Sequence, residues 1–264
     1  MNKIGFSTSC TFPANLERSF AIGSEAGYDG IEIMITNDKK TRDANYIKML
    51  EDKYELPVLS FHAPTLLLTH FVWGTDPQVK LHRTAELTAE VGGDTVVVHP
   101  PFFWQGEYSE NFLNIVDVIS ADTGVKIAVE NMFPWRVKGR EIKAYSPTWK
   151  EITEQTPNLT LDFSHAALAG EKSLEIAKEF HNKIAHIHLC DGIGTSDPED
   201  KDKIFDEHLL PGQGNQQVKK TLKYLKSQNW DGHIVAEINT RKANRTERLQ
   251  LLKDTYKFAK NALS

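Results

Sequence analysis

Histidines and carboxylates recur at the ends of short apolar runs along this chain of 264 residues. In chain order, these groups are His62, His99, Glu130, Asp162, His165, His188, Asp206, His208 and Glu237. Imidazole nitrogen and carboxylate oxygen are ligands that zinc and manganese accept in proteins. One histidine near a strand end is more often a packing residue, but five in equivalent places indicate a metal site. The carboxylates among them would repel one another in a buried cluster unless cations neutralised them.

Short strands and amphipathic helices alternate around these residues. Eight apolar runs predict strands at Ile4–Ser7, Gly30–Met34, Val58–His62, Thr95–His99, Lys126–Glu130, Leu159–Asp162, Ala185–His188 and Ile234–Glu237. Several runs are continuously apolar, as is typical of parallel strands that are covered on both faces. Apolar residues spaced three or four apart predict helices at Leu16–Ala26, Asp43–Lys53, Pro77–Val91, Ser109–Ala121, Pro147–Gln155, Ser173–Asn182, Gln216–Gln228 and Arg245–Asn261. Pro77 and Pro147 would each stand in a first helical turn, where a missing N–H is tolerated.

Eight alternations in a chain of this length predict an α/β fold, a (β/α)8 TIM barrel. A doubly wound sheet usually carries a glycine-rich fingerprint after its first strand, and FSTSCTF stands there instead. With no linker-like or low-complexity tract, residues 1–264 are expected to form one domain. Because barrel strands end at a common rim, the nine groups should converge there.

Composition restricts the class of protein further. The chain is 40% hydrophobic and 25% charged, with a net charge of −5, which disfavours tight non-specific binding to nucleic acid. Two cysteines, Cys10 and Cys190, are too few for a disulfide framework and favour a cytoplasmic location. The longest apolar stretches fall short of a membrane span, so no membrane partner is expected.

Seven segments in order resemble the xylose isomerase-like TIM barrel superfamily: SFHAP, VVVHP, AVENM, LDFSHA, HIHLCDG, DEHLLPGQGN and VAEIN. This superfamily contains sugar and sugar-phosphate isomerases and epimerases, and also the endonuclease IV-like enzymes of AP endonuclease family 2. The resemblance covers essentially the whole chain. It implies a shared single-metal core of Glu130, Asp162, His188 and Glu237. In the epimerases, the two glutamates also act as acid and base.

The position three residues before Pro211 separates the two branches. Epimerases usually carry an arginine there that holds substrate oxygens, whereas this chain carries His208, with Asp206 two residues earlier. That pattern resembles endonuclease IV and implies three zinc sites. The implied ligand sets are His62, His99 and Glu130; then Glu130, Asp162, His188 and Glu237; and finally His165, Asp206 and His208.

The leading expectation is therefore a phosphoester hydrolase that uses two to three Zn²⁺ ions on a small phosphorylated substrate. Three divalent ions against four carboxylates leave a net positive site, which would attract a phosphate, and paired ions can hold both attacking and leaving oxygens. The alternative is a sugar or sugar-phosphate isomerase or epimerase with a single Mn²⁺ or Mg²⁺. In that enzyme Glu130 and Glu237 would move a proton and His165 would orient the substrate. A third hypothesis is a barrel that only binds or regulates.

Duplex DNA is a disfavoured partner. Endonuclease IV inserts a tyrosine that stands three residues after its first histidine ligand, and Thr65 stands there in this chain. The loop after the second strand carries three cations, which more often form a solvated surface: Lys39, Lys40 and Arg42. Aromatic residues that follow two strand ends could stack on a base or a sugar, and more readily close a small substrate pocket: Phe102, Phe103, Trp104 and Trp135.

The other histidines and one cysteine are expected to lie outside the site. Four histidines on predicted helices or loops should be solvated: His70, His82, His181 and His233. His186 shares a strand face with His188 and should fill a lower layer of the barrel. Cys190 is expected to be a packing residue.

Overall fold

The structure is a computed structural model that describes residues 2–65, 69, 71–137, 140–194 and 206–264. Its strands are β1 (Ile4–Ser7), β2 (Gly30–Met34), β3 (Val58–His62), β4 (Thr95–Val98), β5 (Lys126–Glu130), β6 (Trp135–Val137), β7 (Arg140–Ile142), β8 (Leu159–Asp162), β9 (Ile184–Leu189) and β10 (His233–Ala236). Its helices are α1 (Leu16–Ala26), α2 (Ala44–Tyr54), α3 (Pro77–Val91), α4 (Glu107–Thr123), α5 (Trp149–Gln155), α6 (Phe163–Ala169), α7 (Ser173–Phe180), α8 (Val218–Ser227) and α9 (Arg245–Leu263).

Eight parallel strands close into a barrel in the order β1-β10-β9-β8-β5-β4-β3-β2, which confirms the predicted (β/α)8 fold. β6 and β7 form a separate antiparallel hairpin. The barrel strands have the predicted bounds to within a residue because their apolar runs are buried on both faces, as in the fully buried β4. Within the described residues, the helices are too short or too polar to cross a membrane.

Local signals set the helix starts, and one of the two proline predictions was wrong. Pro77 occupies the first position of α3, after the capping side chain of Asp76. Pro147, however, precedes α5 rather than standing in its first turn. Thr148 caps that helix in a reciprocal capping box with Glu151, and this pair fixes the start at the following residue.

Two elements between β5 and β9 were not predicted from the sequence. The hairpin of β6 and β7 extends from the loop after β5, and its strands have only three residues each. α6 begins directly after β8, where the Asp162 carboxylate accepts the backbone N–H of His165 at 2.7 Å. With seven residues, α6 spans about two turns, too few for an apolar period to be visible.

The inside of the barrel contains buried polar side chains below the rim. Ser60 Oγ donates a hydrogen bond to Glu32 Oε2 at 2.9 Å. The Nε2 atoms of His186 and His188 lie 3.0 Å and 3.2 Å from the same carboxylate group. His186 therefore fills a lower layer of the barrel, as predicted. Phe61 alternates with these inward residues and joins the apolar core outside the barrel.

The histidines expected in solvent divide into different environments. His82 is 42% exposed on α3, as predicted, and His70 lies outside the described residues. His181 is half-buried at the carboxyl end of α7, so that prediction was only partly right. The prediction for His233 was wrong. Its side chain is 15% exposed because it begins β10 and its Nε2 lies 3.0 Å from Asp94 Oδ1.

The Asp94–His233 pair spans the amino-terminal end of the barrel. Asp94 directly precedes β4, which lies opposite β10 in the ring of strands. Thr95 Oγ1 also donates to the Asp94 carboxylate, at 2.8 Å. Burial raises the pKa of the Asp94 carboxyl, but the hydrogen bond and charge of His233 outweigh burial, and the net pKa falls below 3.8.

We expect Asp94→Asn to lower the free energy of unfolding near neutral pH by about 0.5–1 kcal/mol, since this half-exposed pair is screened by solvent. Because the folded-state pKa of Asp94 is lowered, its stabilisation is present above about pH 4 and is lost as the pH falls through the folded pKa. Urea unfolding at about pH 7 and about pH 3 measures this effect. The difference in free energy of unfolding between Asp94→Asn and wild type should be larger at the higher pH.

The control for this measurement is Glu154→Gln, which removes a carboxylate from an exposed pair with Lys150 and should leave stability unchanged. If the free energies of unfolding of Asp94→Asn and wild type differ by the same amount at both pH values, the pair has no electrostatic role.

Candidate metal centre

The nine predicted groups gather at the carboxyl-terminal rim of the barrel. They lie at or beside the ends of six strands, in the first turn of α6, and in the segment between β9 and α8. The set is His62, His99, Glu130, Asp162, His165, His188, Asp206, His208 and Glu237. Parallel strands explain this convergence, because their carboxyl ends all meet on one side of the barrel.

Four buried side chains form the central group of the rim: Glu130, Asp162, His188 and Glu237. Their ligand atoms lie within 4.8 Å of one another. His188 Nδ1 is 2.9 Å from Glu130 Oε1, 2.9 Å from Glu237 Oε2 and 3.7 Å from Asp162 Oδ2. Three carboxylates and one imidazole around such a small space could hold one divalent ion.

A second group shares Glu130 with the central one. The ligand atoms of His62, His99 and Glu130 also lie within 4.8 Å of one another. His99 Nε2 is 2.9 Å and His62 Nε2 is 3.4 Å from Glu130 Oε2. Since Oε1 of Glu130 faces His188 and Oε2 faces these two histidines, the carboxylate could bridge two ions.

A third group adjoins the central one at Asp162. His165 Nε2 and His208 Nε2 lie 3.1 Å and 3.0 Å from Asp206 Oδ2, and His208 Nε2 lies 3.7 Å from Asp162 Oδ2. His208 has a positive φ of 42°, a backbone conformation that is costly for a residue other than glycine. Surrounding contacts must hold it there, and such conformations cluster at functional sites.

The donor atoms fit metal ions better than they fit hydrogen bonds to one another. Glu130 Oε2 and His208 Nε2 are buried, and among the described residues neither has a hydrogen-bond partner. Yet each lies about as close to a donor or acceptor as a hydrogen bond requires, at 2.9 Å from His99 and 3.0 Å from Asp206. Two buried polar atoms with close neighbours but no hydrogen bond are suited to serve as metal ligands.

Histidines and carboxylates of the cluster shift one another's pKa values. Burial raises the pKa of Glu237, but the charge and hydrogen bond of His188 outweigh burial and lower that pKa to about 2. Burial lowers the pKa of His208, but the Asp206 carboxylate raises it to about 9. Burial also raises the pKa of Asp162, and there it prevails. Protonated histidines thus supply the positive charge that these carboxylates require.

Asn131 orients two of the metal-site residues. Its side chain donates to the carbonyl of Asp162 at 3.0 Å and accepts the N–H of Asp162 at 2.7 Å. Its own carbonyl lies 3.0 Å from His165 Nδ1. A proton on Nδ1 that is donated to this carbonyl leaves Nε2 of His165 free to face Asp206, which is the arrangement a metal ligand needs.

Asp191 fixes the segment that carries Asp206 and His208. Its buried carboxylate accepts three backbone N–H groups, those of Gly192, Gly212 and Gln216. Its backbone also pairs with Leu209 in both directions, at 2.8 Å and 2.9 Å. The segment is thereby attached to the end of β9, and this attachment places His208 at the rim.

The predicted substrate aromatics form one cluster beside the metal groups. The rings of Phe102 and Trp104 stack with centroids 4.5 Å apart, and Trp135 meets Phe102 edge-on at 5.3 Å. Trp104 is 48% exposed, so the cluster presents an aromatic face at the surface. Phe133, two residues before Trp135, packs with its ring centroid 5.1 Å from that of His165. Their contact with substrate stays a prediction.

The residues weighed for DNA binding lie in the segments that follow β2 and β3. Lys39 and Lys40 are exposed, and Lys40 Nζ lies 4.8 Å above the ring of Tyr46. The Arg42 guanidinium is half-buried, 5.9 Å from the ring of Trp73. These contacts are those of an ordinary loop surface. Thr65, which replaces the inserted tyrosine, is half-buried with its hydroxyl turned away from solvent.

Together with Asn131 and Asp191, Glu32 is a site residue that the sequence analysis missed. It is fully buried in the middle of β2, and its Oε1 lies 3.2 Å from His188 Nε2. The signal was a single carboxylate within the otherwise apolar strand GIEIM. A charge in a strand covered on both faces indicates a buried partner. Cys190 is buried as predicted, with its Sγ 3.5 Å from Asp162 Oδ2.

Comparison with known proteins identifies the family. Residues 20–262 match the family described as xylose isomerase-like TIM barrel, and the chain belongs to it. An uncharacterized protein of Mycobacterium tuberculosis is 36% identical over 99% of this chain and 98% of its own length. Fructoselysine 3-epimerase of Escherichia coli O157:H7 is 20% identical over 85% of this chain and 86% of its own length.

Two solved structures resemble the chain along nearly its whole length. A D-tagatose 3-epimerase-like protein has a TM-score of 0.70 and 24% identity, over 99% of this chain and 100% of the other. The IOLI protein with a binding zinc atom has a TM-score of 0.72 and 19% identity, over 99% of this chain and 98% of the other. At these identities the structures show the barrel fold. The fructoselysine 3-epimerase among the relatives supports the expectation that the chain is an enzyme.

We expect zinc to raise the melting temperature of metal-free protein, because an ion relieves the repulsion among the buried carboxylates. The proton on His208 stabilises metal-free protein below about pH 6.5, and this contribution is lost as the pH rises through about 9. Zinc must displace that proton to bind His208. The zinc-induced rise in melting temperature should therefore be larger at about pH 8 than at about pH 6.

Differential scanning fluorimetry of chelator-treated protein, with and without added zinc, measures this shift. His82→Ala, which removes an exposed histidine on α3, is the matched control and should respond to zinc like wild type. Equal melting temperatures with and without zinc at both pH values would contradict a metal centre at the rim.

Proposed function

We propose that this protein is a metal-dependent isomerase or epimerase that acts on a sugar or sugar phosphate. The observation that carries the proposal is the central group, in which Glu130 and Glu237 each lie 2.9 Å from the same nitrogen of His188. A divalent ion held by this group would polarise a substrate carbonyl and the neighbouring hydroxyl. The fructoselysine 3-epimerase and the D-tagatose 3-epimerase-like protein support this class of reaction.

The two glutamates approach the central group from different sides of the barrel. Glu130 ends β5 and Glu237 follows β10, and β8 and β9 separate these strands in the ring. A substrate between them would meet one carboxylate on each side. One carboxylate would take the proton from the carbon next to the carbonyl and could return the same proton to the neighbouring carbon. For delivery to the opposite face, the other carboxylate would first take up a proton from solvent, and the first would later release its own proton to solvent.

The two carboxylates are ionised at neutral pH. Although burial raises both pKa values, the charge and hydrogen bond of His188 lower the pKa of Glu237 to about 2, and the charges of His188 and His99 lower the pKa of Glu130. Glu130 Oε2 has no hydrogen-bond partner among the described residues, which leaves this oxygen available for proton transfer. His165 lies beside Glu130, with its Nδ1 3.3 Å from Oε1, and would orient the substrate oxygens.

A second candidate is a phosphoester hydrolase with a trinuclear zinc site and a small phosphorylated substrate. One observation favours it: isomerase chemistry needs a single ion, yet further ligand groups adjoin the central one, and two of them lie at the rim. They are the His62–His99 pair on Glu130 and the cluster of His165, Asp206 and His208. Neighbouring ions could hold both oxygens of a displacement at phosphorus.

Glu237→Gln tests the acid–base role in the leading proposal. In D₂O, the metal-loaded protein should incorporate deuterium next to the carbonyl of its substrate, found by screening ketoses and their phosphates by NMR. The variant should be slower by about 10²–10⁴-fold, the usual contribution of one general acid or base. Metal content must be measured in parallel, because Glu237 is also a candidate ligand.

The matched control is Glu171→Gln, an exposed carboxylate after α6 that lies outside the metal groups. It should exchange deuterium like wild type. A metal-loaded Glu237→Gln variant that exchanges at the wild-type rate would rule out the proposed role of this glutamate.

His208→Ala separates the two candidate functions. If the protein is an isomerase or epimerase, the substitution should leave one ion per chain in place and mainly raise KM, because only a substrate contact is lost. If it is a trinuclear hydrolase, the substitution should remove about one ion per chain and abolish phosphoester cleavage, since imidazole is the ligand. Elemental analysis and both assays on the same preparation measure these outcomes.

His208→Arg extends the comparison, because it removes the imidazole and introduces the residue typical of the epimerase branch. An isomerase should retain its ion and its turnover in this variant. Loss of an ion in both His208 variants, together with loss of phosphoester cleavage, would overturn the leading proposal in favour of the second.

A further inference from the structure

Glu32 is a fully buried carboxylate just below the metal-site groups, and neither candidate chemistry uses it directly. It lies in the middle of β2, between Ser7 of β1 and Ser60 of β3 in the strand register. Its Oε2 accepts a hydrogen bond from Ser60 Oγ at 2.9 Å and lies 3.0 Å from His186 Nε2. A buried charge with this many polar neighbours calls for a specific role.

The position of Glu32 relative to His188 indicates that role. One ring nitrogen of His188, Nδ1, lies 2.9 Å from both Glu130 and Glu237 and so faces the central group. The other nitrogen, Nε2, lies 3.2 Å and 3.4 Å from the two oxygens of Glu32. The imidazole is therefore held between the metal-site carboxylates on one side and Glu32 on the other.

A neutral imidazole carries a proton on one nitrogen and a lone pair on the other. If Nε2 donates its proton to Glu32, the lone pair on Nδ1 points into the central group. If the proton were on Nδ1 instead, Nε2 would turn its lone pair toward a carboxylate and the ring could not ligate an ion at the rim. The geometry therefore selects one tautomer.

We propose that Glu32 is a positioning residue that fixes His188 in the tautomer and orientation needed to bind metal through Nδ1. Its negative charge also strengthens the imidazole as a ligand, because it stabilises the proton that remains on Nε2. This inference rests on the metal site of the proposed function, but it is the same for an isomerase and for a hydrolase.

Metal affinity of Glu32→Ala and Glu32→Gln tests the proposal. Competition between each protein and a chelator gives the dissociation constant for Zn²⁺, and for Co²⁺ as a spectroscopic probe. Loss of a carboxylate behind a histidine ligand typically weakens metal binding by about 10–100-fold, which is the result expected for Glu32→Ala. Glu32→Gln keeps an acceptor for Nε2–H but loses the charge, so its affinity should lie between those of Glu32→Ala and wild type.

His186→Gln is the matched control for disturbance of the barrel interior. His186 is as buried as Glu32, and its Nε2 lies 3.0 Å from Glu32 Oε2, but it is not one of the four side chains of the central group. Its variant should bind Zn²⁺ within about threefold of wild type, a small change beside that expected for a lost supporting carboxylate. Circular dichroism of each metal-free variant establishes whether it folds. If Glu32→Ala does not fold, the metal affinity of Glu32→Gln relative to wild type tests the proposal.

Nitrogen-15 NMR of the histidine rings gives a readout that a purely structural role would not change. In zinc-loaded wild type, His188 should show a protonated Nε2 that exchanges slowly with water and a metal-bound Nδ1. Glu32→Ala should lose the slow exchange. A His188 that binds zinc through Nε2 in wild type would overturn the proposal.

The remaining outcomes are also decisive. Wild-type affinity in folded Glu32→Ala would refute the role of Glu32 while leaving the metal centre intact. Loss of a whole ion per chain in Glu32→Gln would make Glu32 a ligand rather than a positioning residue. Failure of wild type itself to bind a divalent ion would overturn the metal centre and the proposed function together.

Discussion

Mutual repulsion among carboxylates at one end of the barrel is the constraint on which the rest of this structure depends. Glu130, Asp162 and Glu237 are buried within 4.8 Å of one another, and Asp206 adjoins them on the open side. Without metal, protons on His165 and His188 provide the balancing charge. The carboxylates around these rings raise both pKa values well above normal, although burial acts in the opposite direction. The site requires positive charge both with and without metal, so it is suited to exchange the protons on its histidines for metal ions.

The same constraint accounts for the hydrogen bonds that surround the cluster. Ligands that are held in place by second contacts bind metal more tightly than free ones. Asn131 fixes the backbone of Asp162 and accepts from His165, while Asp191 attaches the segment of Asp206 and His208 to the end of β9. Glu32 does the same for His188 from below. Strand ends, one loop and the barrel interior therefore all contribute to one rigid arrangement.

Local sequence predicted the barrel well because its strands are continuous apolar runs with abrupt ends. The site residues followed from the same rule, since a parallel barrel places every strand end on one side. Two of the failures depended on contacts between distant residues. The hydrogen-bonded position of Glu32 requires β2 and β9 to meet across the barrel, and the burial of His233 requires Asp94 on the opposite strand. α6 and the β6–β7 hairpin are too short for a periodic signal.

The choice between the two chemistries depends on a single oxygen atom, Oε2 of Glu130. Its Oε1 belongs to the central group with His188, while its Oε2 faces His62 and His99 and has no hydrogen-bond partner among the described residues. If Oε2 is left free, it can accept a proton from a carbon acid, as an isomerase requires. If the His62–His99 group holds an ion, both oxygens are bound, the basicity of the carboxylate falls, and Glu130 becomes a bridge of the kind that supports displacement at phosphorus. One carboxylate cannot serve in both ways at once, so under the proposed function the occupancy of the His62–His99 group would decide whether Glu130 acts as a base or as a bridge between ions.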